Sequence, residues 1–215
     1  MLGIGSDAGV MSGLIPLPRS GPYPDSVPSD CLLTRTQIVQ PECAFGDLDG
    51  TRTMVLFGDG TVTQSFRAID GYAKAHGYRL LVRAKTACPV ADSVPFDADL
   101  GRTYQECLVW RLSQLAAIDA LAPDVVLASQ SDTLPGATAS DAYWAAQTSA
   151  TVGRLRSAAG QVVFLTDGPS TLRGAAVERA LDVARVARVT TSEWPLSLRG
   201  KLLTAELAEL LGDLP

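Results

Sequence analysis

The sequence predicts an α/β fold in which a five-stranded parallel sheet forms the middle of a three-layer α/β/α sandwich. Short apolar runs of strand length alternate with longer stretches whose apolar residues recur with the 3.6-residue period of a helix. The short runs are apolar throughout, as expected of parallel strands that helices cover on both faces. At 215 residues and 47% hydrophobic content, the chain can bury one substantial core.

Five apolar runs are predicted to be strands and five amphipathic stretches to be helices. The strands are predicted at 53–57, 78–83, 124–128, 161–166 and 186–190. The helices are predicted to run from about Val62 to Ala75, from Tyr104 to before Pro123, over about 140–158, over about 172–184, and through Leu203, Leu207, Leu210 and Leu214. Glycine is a common residue just after a helix and proline cannot continue one, so Gly77 and Pro123 mark the first two C-termini.

Residues 1–47 differ in composition from the rest of the chain. They are rich in Pro, Gly and Ser and show no helical period, which predicts an extended arm or linker before an α/β domain over 48–215. No basic segment precedes the weakly apolar stretch in residues 1–20, which argues against a signal peptide. No run approaches the 18 or so apolar residues that a membrane-spanning helix needs, so no transmembrane segment is expected.

The charge of the chain argues against a nucleic-acid partner. Eighteen Lys and Arg face 23 Asp and Glu, giving a net charge of -5, and no basic cluster is present to neutralise phosphates. The chain has one histidine and no Cys-x-x-Cys pair, so a zinc site would need all four cysteines or carboxylate ligands. We therefore expect no metal and no cofactor.

The four cysteines favour two local disulfides, Cys31–Cys43 and Cys88–Cys107. Each would close a short loop and stabilise the fold by about 3 kcal/mol in the chain-entropy description. Four cysteines allow three pairings, and four reduced buried thiols are an open alternative. Disulfides would place the domain outside the cytoplasm, in the periplasm or at the cell surface, tethered by sequence absent from this chain.

Three polar loops follow predicted strands and should meet at one edge of the sheet. They are Gly58-Asp59-Gly60-Thr61, Ser129-Gln130-Ser131-Asp132 and Asp167-Gly168-Pro169. In open α/β sheets the ligand crevice lies beyond the carboxyl ends of the strands, and a helix N-terminus there offers backbone N–H groups to an anion or oxyanion. The candidate ligand-binding residues are Gly58, Asp59, Gly60, Thr61 and Ser129, although each loop alone is also compatible with an ordinary polar turn.

Several motifs resemble one known family. They are Cys43-Ala-Phe-Gly-Asp, Val55-Leu-Phe-Gly-Asp59 before a helix, Ala84-Lys-Thr-Ala-Cys-Pro89, Tyr104-Gln-Glu-Cys107 with Trp110-Arg111, and Leu121-Ala-Pro-Asp-Val-Val-Leu127. From about Cys31 to the C-terminus the chain resembles the SGNH (GDSL-type) hydrolase domains fused to bacterial acyltransferase-3 membrane proteins, which O-acetylate cell-envelope sugars. The resemblance implies a flavodoxin-like SGNH-hydrolase fold and serine esterase or O-acyltransferase chemistry.

The catalytic positions implied by the resemblance hold the wrong residues. The serine nucleophile falls on Gly60, the acid on Arg199 and the histidine base on Leu202. The single histidine, His76, is predicted at the far end of the helix that follows Gly60, where it suits the helix C-terminus. A serine triad needs a hydroxyl, a base within hydrogen-bond reach and an orienting acid. The sequence thus predicts a degenerate, catalytically inactive domain that binds a glycan or acyl ligand, or docks on the membrane part of an acyltransferase.

Two alternatives remain at this point. The first is an active carbohydrate O-acetyltransferase or acetylesterase whose serine is displaced or mutated, although Ser65, or Ser129 with Asp132, would lack a base stronger than a carboxylate. The second is a nucleotide or phosphate binder that uses the Gly58–Thr61 turn. That turn lacks the lysine of a P-loop and the full dinucleotide fingerprint.

Overall fold

The computed structural model describes residues 27–131, 140–166, 181, 186–190 and 198–212. The strands are β1 (Leu32–Leu33), β2 (Ala44–Gly46), β3 (Arg52–Gly58), β4 (Tyr78–Lys85), β5 (Phe96–Asp97), β6 (Arg102–Thr103), β7 (Val125–Ser129), β8 (Gln161–Thr166) and β9 (Ala187–Thr190). The helices are a 3-10 helix (Gly60–Ser65), α1 (Phe66–Ala75), α2 (Gln105–Leu121), α3 (Asp141–Ala158) and α4 (Arg199–Leu211).

The main sheet has the order β1-β4-β3-β7-β8-β9, and every pair along this path is parallel. The five predicted strands are its long members, which confirms the predicted parallel sheet. Two short strands enlarge it, because β1 pairs with β4 in parallel and β2 pairs with β4 antiparallel. The described part of the predicted arm, residues 27–47, therefore contributes both of these strands to the sheet.

Each face of the sheet has its own apolar layer, which confirms the α/β/α sandwich. Side chains alternate along a strand, so Met54 and Leu56 of β3 point to one face and Val55 and Phe57 to the other. The first face packs against α1 and α4, and the second against α2 and α3. These β3 side chains are at most 1% exposed.

The helices follow the predicted periodicity, but the fold differs from the prediction in one helix and in one additional small sheet. The first predicted helix begins as a 3-10 helix with Asp59 as its N-cap and becomes α-helical only at Phe66. A second, two-stranded sheet of β5 and β6 was not predicted. The predicted helix at 172–184 lies outside the described residues except for Leu181, which is helical and buried. No helix that the structure describes has the length and apolarity to cross a membrane.

Both predicted disulfides are present, Cys31–Cys43 and Cys88–Cys107. All four cysteines are at most 4% exposed. The first bond joins the segments around β1 and β2, and the second ties the loop after β4 to α2. The sequence separations of 12 and 19 residues mean that each bond holds a local loop.

Lys85, at the end of β4, fixes the turn that follows β1. Its side chain is fully buried, and Nζ donates hydrogen bonds to the carbonyl oxygens of Thr34 (2.8 Å), Arg35 (2.9 Å) and Gln37. An ammonium group has three N–H donors, and here each meets one backbone acceptor. The buried ammonium group of Lys85 thus holds three carbonyl groups of the 34–37 turn in place.

We expect Lys85→Met to lower the free energy of unfolding by about 2–3 kcal/mol, because it leaves three carbonyl groups without their donor. Chemical denaturation of the variant measures the loss. The control is Lys74→Met, since Lys74 is mostly exposed and pairs with Asp70 one turn away on α1. That surface change should cost less than about 0.5 kcal/mol. Equal effects of the two substitutions would contradict the assigned role.

Lys85 should also make the stability pH-dependent. Burial lowers the pKa of Lys85 to about 8, against a smaller opposing effect of Glu106. Between pH 8 and the ordinary lysine pKa, the unfolded chain holds a proton that the folded protein has released. The free energy of unfolding should therefore rise with pH in that window and stay flat just below it.

Denaturation midpoints measured from pH 7 to 9.5 test this dependence, with Lys85→Met lacking the rise. The series stops there because burial raises the pKa values of Tyr72 and Tyr78, which lowers stability at higher pH as unfolded tyrosines ionise. A wild-type midpoint that falls from pH 8 to 9.5 would contradict the assignment.

Candidate functional site

The turn after β3 lies near the middle of the sheet, between the ends of β4 and β7. Gly58 ends the strand with φ +153°, and a Cβ built there would lie 1.9 Å from the carbonyl oxygen of Ser129. No side chain fits this approach of two backbones, so Gly58 is required by packing. The close contact places the β3 turn directly against the end of β7.

Asp59 joins the two loops. Its carboxylate is 2% exposed, and Oδ1 accepts hydrogen bonds from the backbone N–H (2.9 Å) and the hydroxyl (2.6 Å) of Thr61. Its Oδ2 accepts from the backbone N–H of Ser131 at 2.7 Å. Asp59 is therefore both the N-cap of the 3-10 helix and a clamp between the β3 and β7 loops.

Two hydroxyl groups extend this network. The Oγ1 of Thr61 lies 3.1 Å from the Oγ of Ser129, which is 7% exposed. The result is an ordered chain of Ser129 hydroxyl, Thr61 hydroxyl and Asp59 carboxylate. Such a chain presents fixed donors and acceptors, but a carboxylate is too weak a base to activate an alcohol efficiently at neutral pH.

Gly60 faces open space. A Cβ built on this residue meets no atom of the described residues within 4 Å, and its φ is not in the left-handed region. A side chain would therefore fit here without strain, in contrast to Gly58 two residues earlier. The position that the resemblance gives to the nucleophile is sterically able to hold a serine and holds none.

The single histidine is placed as predicted, away from this turn. His76 caps the C-terminus of α1, donates its backbone N–H to the Tyr72 carbonyl, and stacks on the Tyr72 ring at 4.2 Å between centroids. The 3-10 helix and α1 separate it from Gly60 by roughly 20 Å or more. Leu202 lies in the first turn of α4 and is 38% exposed, while the side chain of Arg199 lies outside the described residues.

All five predicted ligand-binding residues come together at this turn: Gly58, Asp59, Gly60, Thr61 and Ser129. Their role in binding stays a prediction. Asp132 and the loop Asp167-Gly168-Pro169 lie outside the described residues. Among the residues that are described, no group of three His, Cys, Asp or Glu side chains could hold a metal ion.

The sequence did not reveal that the loop after β4 also supports the site. Gln130 accepts a hydrogen bond from the backbone N–H of Ala91 (2.9 Å) and donates one to the hydroxyl of Thr148 (3.0 Å). These contacts join the β7 loop to α3 and to the segment after Cys88. The one signal in the sequence was the pair of cysteines that bracket this loop.

A buried arginine also fixes the loop after β4 by hydrogen bonds to its backbone. Arg111 of α2 is fully buried, and its guanidinium donates to the carbonyl oxygens of Ser93 (2.6 Å) and Pro89 (3.3 Å). Together with the Cys88–Cys107 bond, Arg111 fixes the position of the loop that contacts Gln130.

Comparisons with known proteins identify the family and the fold of this chain. The family described as the SGNH domain (fused to AT3 domains) matches residues 30–210. The chain belongs to this SGNH family. The fusion that defines the family implies the context of a membrane acyltransferase, and no curated protein sequence matches the chain significantly.

Solved structures show the same fold at low sequence identity. One is the periplasmic domain of a lipopolysaccharide acetyltransferase from Salmonella ser. Paratyphi A, with TM-score 0.53 and 13% identity, covering 67% of this chain and 68% of that one. Another is a family two carbohydrate esterase from Clostridium thermocellum in complex with cellohexaose, with TM-score 0.52 and 10% identity, covering 81% and 67%. The SGNH-hydrolase fold predicted from the sequence is thereby confirmed.

The two glycines of the turn should respond oppositely to substitution. Gly58→Ala should destabilise the SGNH domain by more than about 3 kcal/mol, because its Cβ would collide with the Ser129 carbonyl. Gly60→Ala should change the free energy of unfolding by less than about 1 kcal/mol, since its Cβ enters open space. Denaturant unfolding of both variants checks this. A tolerated Gly58→Ala would contradict the packing described for this turn.

Proposed function

We propose that this SGNH domain is catalytically silent and binds an acylated glycan outside the cytoplasm, as part of cell-envelope O-acylation. The observation that carries the proposal is Gly60. It occupies the nucleophile position in open space while its neighbours Asp59, Thr61 and Ser129 form an ordered polar network. The frame of an acyl-serine site persists without the atom that attacks.

The proposal is supported by the lack of a histidine base near the turn. Acyl transfer through a hydroxyl needs a base within hydrogen-bond reach. The single histidine of the chain is His76, whose ring stacks on Tyr72 at the end of α1 that is far from the turn. A serine introduced at Gly60 would therefore meet no imidazole.

The polar network suits a neutral ligand better than an anion. The buried carboxylate of Asp59 repels negative charge. The Thr61 hydroxyl donates its one proton to Asp59, so its oxygen can accept from a sugar hydroxyl, while the Ser129 hydroxyl can turn to donate to an ester carbonyl. These groups already hold one another in place, so ordering them on binding would cost little conformational entropy. An acetylated sugar has both kinds of polar group.

The cellular context follows from two separate features. Both disulfides are buried and complete, as expected of a protein in an oxidising compartment. The family is described by its fusion to AT3 domains, which supports a membrane acyltransferase as the partner and tether. In this setting the domain would hold the glycan, or its acylated product, beside the transferase.

One contact favours a second candidate, an active acyltransferase or esterase with a displaced nucleophile. The Thr61 hydroxyl lies 2.6 Å from the Asp59 carboxylate, so Thr61 is the hydroxyl in this turn closest to a base. The weakness of a carboxylate as a base makes this the less favoured function.

Two assays separate the candidates. We expect no protein-dependent hydrolysis of p-nitrophenyl acetate and no labelling by a fluorophosphonate probe, for the wild type and for Gly60→Ser alike. Hydrolysis by the wild type that Thr61→Val abolishes would establish the second candidate and overturn catalytic silence.

Binding is tested with an oligosaccharide in acetylated and de-O-acetylated form, for example acetylated xylohexaose, by isothermal titration calorimetry. Gly60→Leu should fill the open space and weaken binding of the acetylated form by tenfold or more, with no loss of stability. Gly71→Leu is the matched control, because a Cβ at this exposed α1 position also meets no atom within 4 Å. Equal affinity of the two variants would contradict binding at the Gly60 turn.

A further inference from the structure

A pocket lies between the turn after β1 and the β5–β6 hairpin, at the same edge of the sheet as the Gly60 turn. It is lined by Arg35, Ala87 and residues 95–99 and has a volume of about 60 Å³. We propose that this pocket is a sugar subsite that takes a neutral unit of the same glycan whose acylated unit lies at Gly60. The inference rests on the proposed function and extends it to a longer ligand.

The strand order puts both places on one side of the molecule. β1, β4 and β3 are parallel neighbours, with Leu33 opposite Lys85 and Gly58 opposite Ala84. The loops that follow these strands therefore leave the sheet at the same edge. Two strand spacings separate the end of β3 from the end of β1, which is on the order of 10 Å. A short oligosaccharide spans such a distance.

The polar wall of the pocket is fixed in position. Arg35 Nε bonds Oδ2 of Asp97 at 2.7 Å, and its Nη2 bonds Oδ2 of Asp99 at 2.6 Å. Asp97 is 6% exposed, and its Oδ1 also accepts from the backbone N–H of Leu100. Because the carbonyl of Arg35 is held by Lys85, the guanidinium projects from a rigid turn. Carboxylate oxygens have further lone pairs and can accept from sugar hydroxyls.

The apolar wall is an exposed aromatic ring. Phe96 is 48% exposed and Asp97 is 6% exposed, and both residues line the pocket. Phe96 lines the pocket together with Pro95. A flat apolar face beside fixed hydrogen-bonding groups matches a pyranose ring, which has C–H faces and hydroxyl edges.

The charge and the volume of the pocket restrict the chemical class of ligand that it can bind. The two carboxylates outnumber the one guanidinium, so the pocket disfavours an anion. A cavity of about 60 Å³ is far smaller than the several hundred Å³ of a pocket that encloses a whole ligand. The pocket itself would then take an exocyclic group, with the ring of the sugar lying against Phe96. A neutral hexose unit fits these limits.

The test uses Phe96→Ala and Asp99→Asn, because Phe96 is half-exposed and the Asp99 side chain is 71% exposed, so neither should unfold the domain. The matched controls are Leu48→Ala, an exposed apolar residue, and Asp119→Asn, an exposed carboxylate paired with Arg154. The probes are O-acetylated xylohexaose, cellohexaose and chitohexaose with the corresponding disaccharides. Affinity is measured by calorimetry, and contact sites are located by amide chemical shifts.

We expect the best-binding hexaose to shift amides in both 58–61 and 95–99. Phe96→Ala should weaken it about tenfold, with little effect on the disaccharide and none from the controls. Shifts confined to 58–61, with Phe96→Ala binding like the wild type, would overturn the subsite and leave the proposed function intact. Shifts confined to 95–99 would keep the subsite and contradict binding at Gly60. A wild type that binds none of the probes would overturn both.

Discussion

The site depends on the contact between the ends of β3 and β7. Gly58 brings its backbone against the Ser129 carbonyl, and the buried Asp59 carboxylate then accepts hydrogen bonds from Thr61 and from the Ser131 amide. These interactions determine where the 3-10 helix starts and which groups face the crevice. They are needed for the two loops to pack, whether or not any reaction takes place. Packing alone therefore accounts for the shape of the turn, whichever residue stands at position 60.

Much of the fold could be predicted from the sequence because its strands are apolar on both faces. All five long strands and four of the five helices follow from periodicity, and Gly77 and Pro123 mark the ends of α1 and α2 correctly. The short strands β1 and β2 could not be predicted. Their residues lie in a region rich in Pro and Gly, and β4 provides the pairing they need from a distant part of the chain.

The candidate site was predictable only in part. The turn Gly58–Thr61 and Ser129 follow apolar strands, so the topology alone places them together. The supporting residues Gln130 and Arg111 act through contacts with loop backbone 18 to 39 residues away along the chain, and no local pattern signals such contacts. A buried arginine in an otherwise ordinary helix looks the same in sequence as an exposed one.

The pairing of β1 and β2 along β4 has a consequence for how the molecule meets others. An outer strand with unpaired backbone groups is a template for strand addition by a second chain. Here the segment tied by Cys31–Cys43 covers that rim of the sheet. The cysteine bond thus helps to prevent strand-to-strand pairing between copies of the domain.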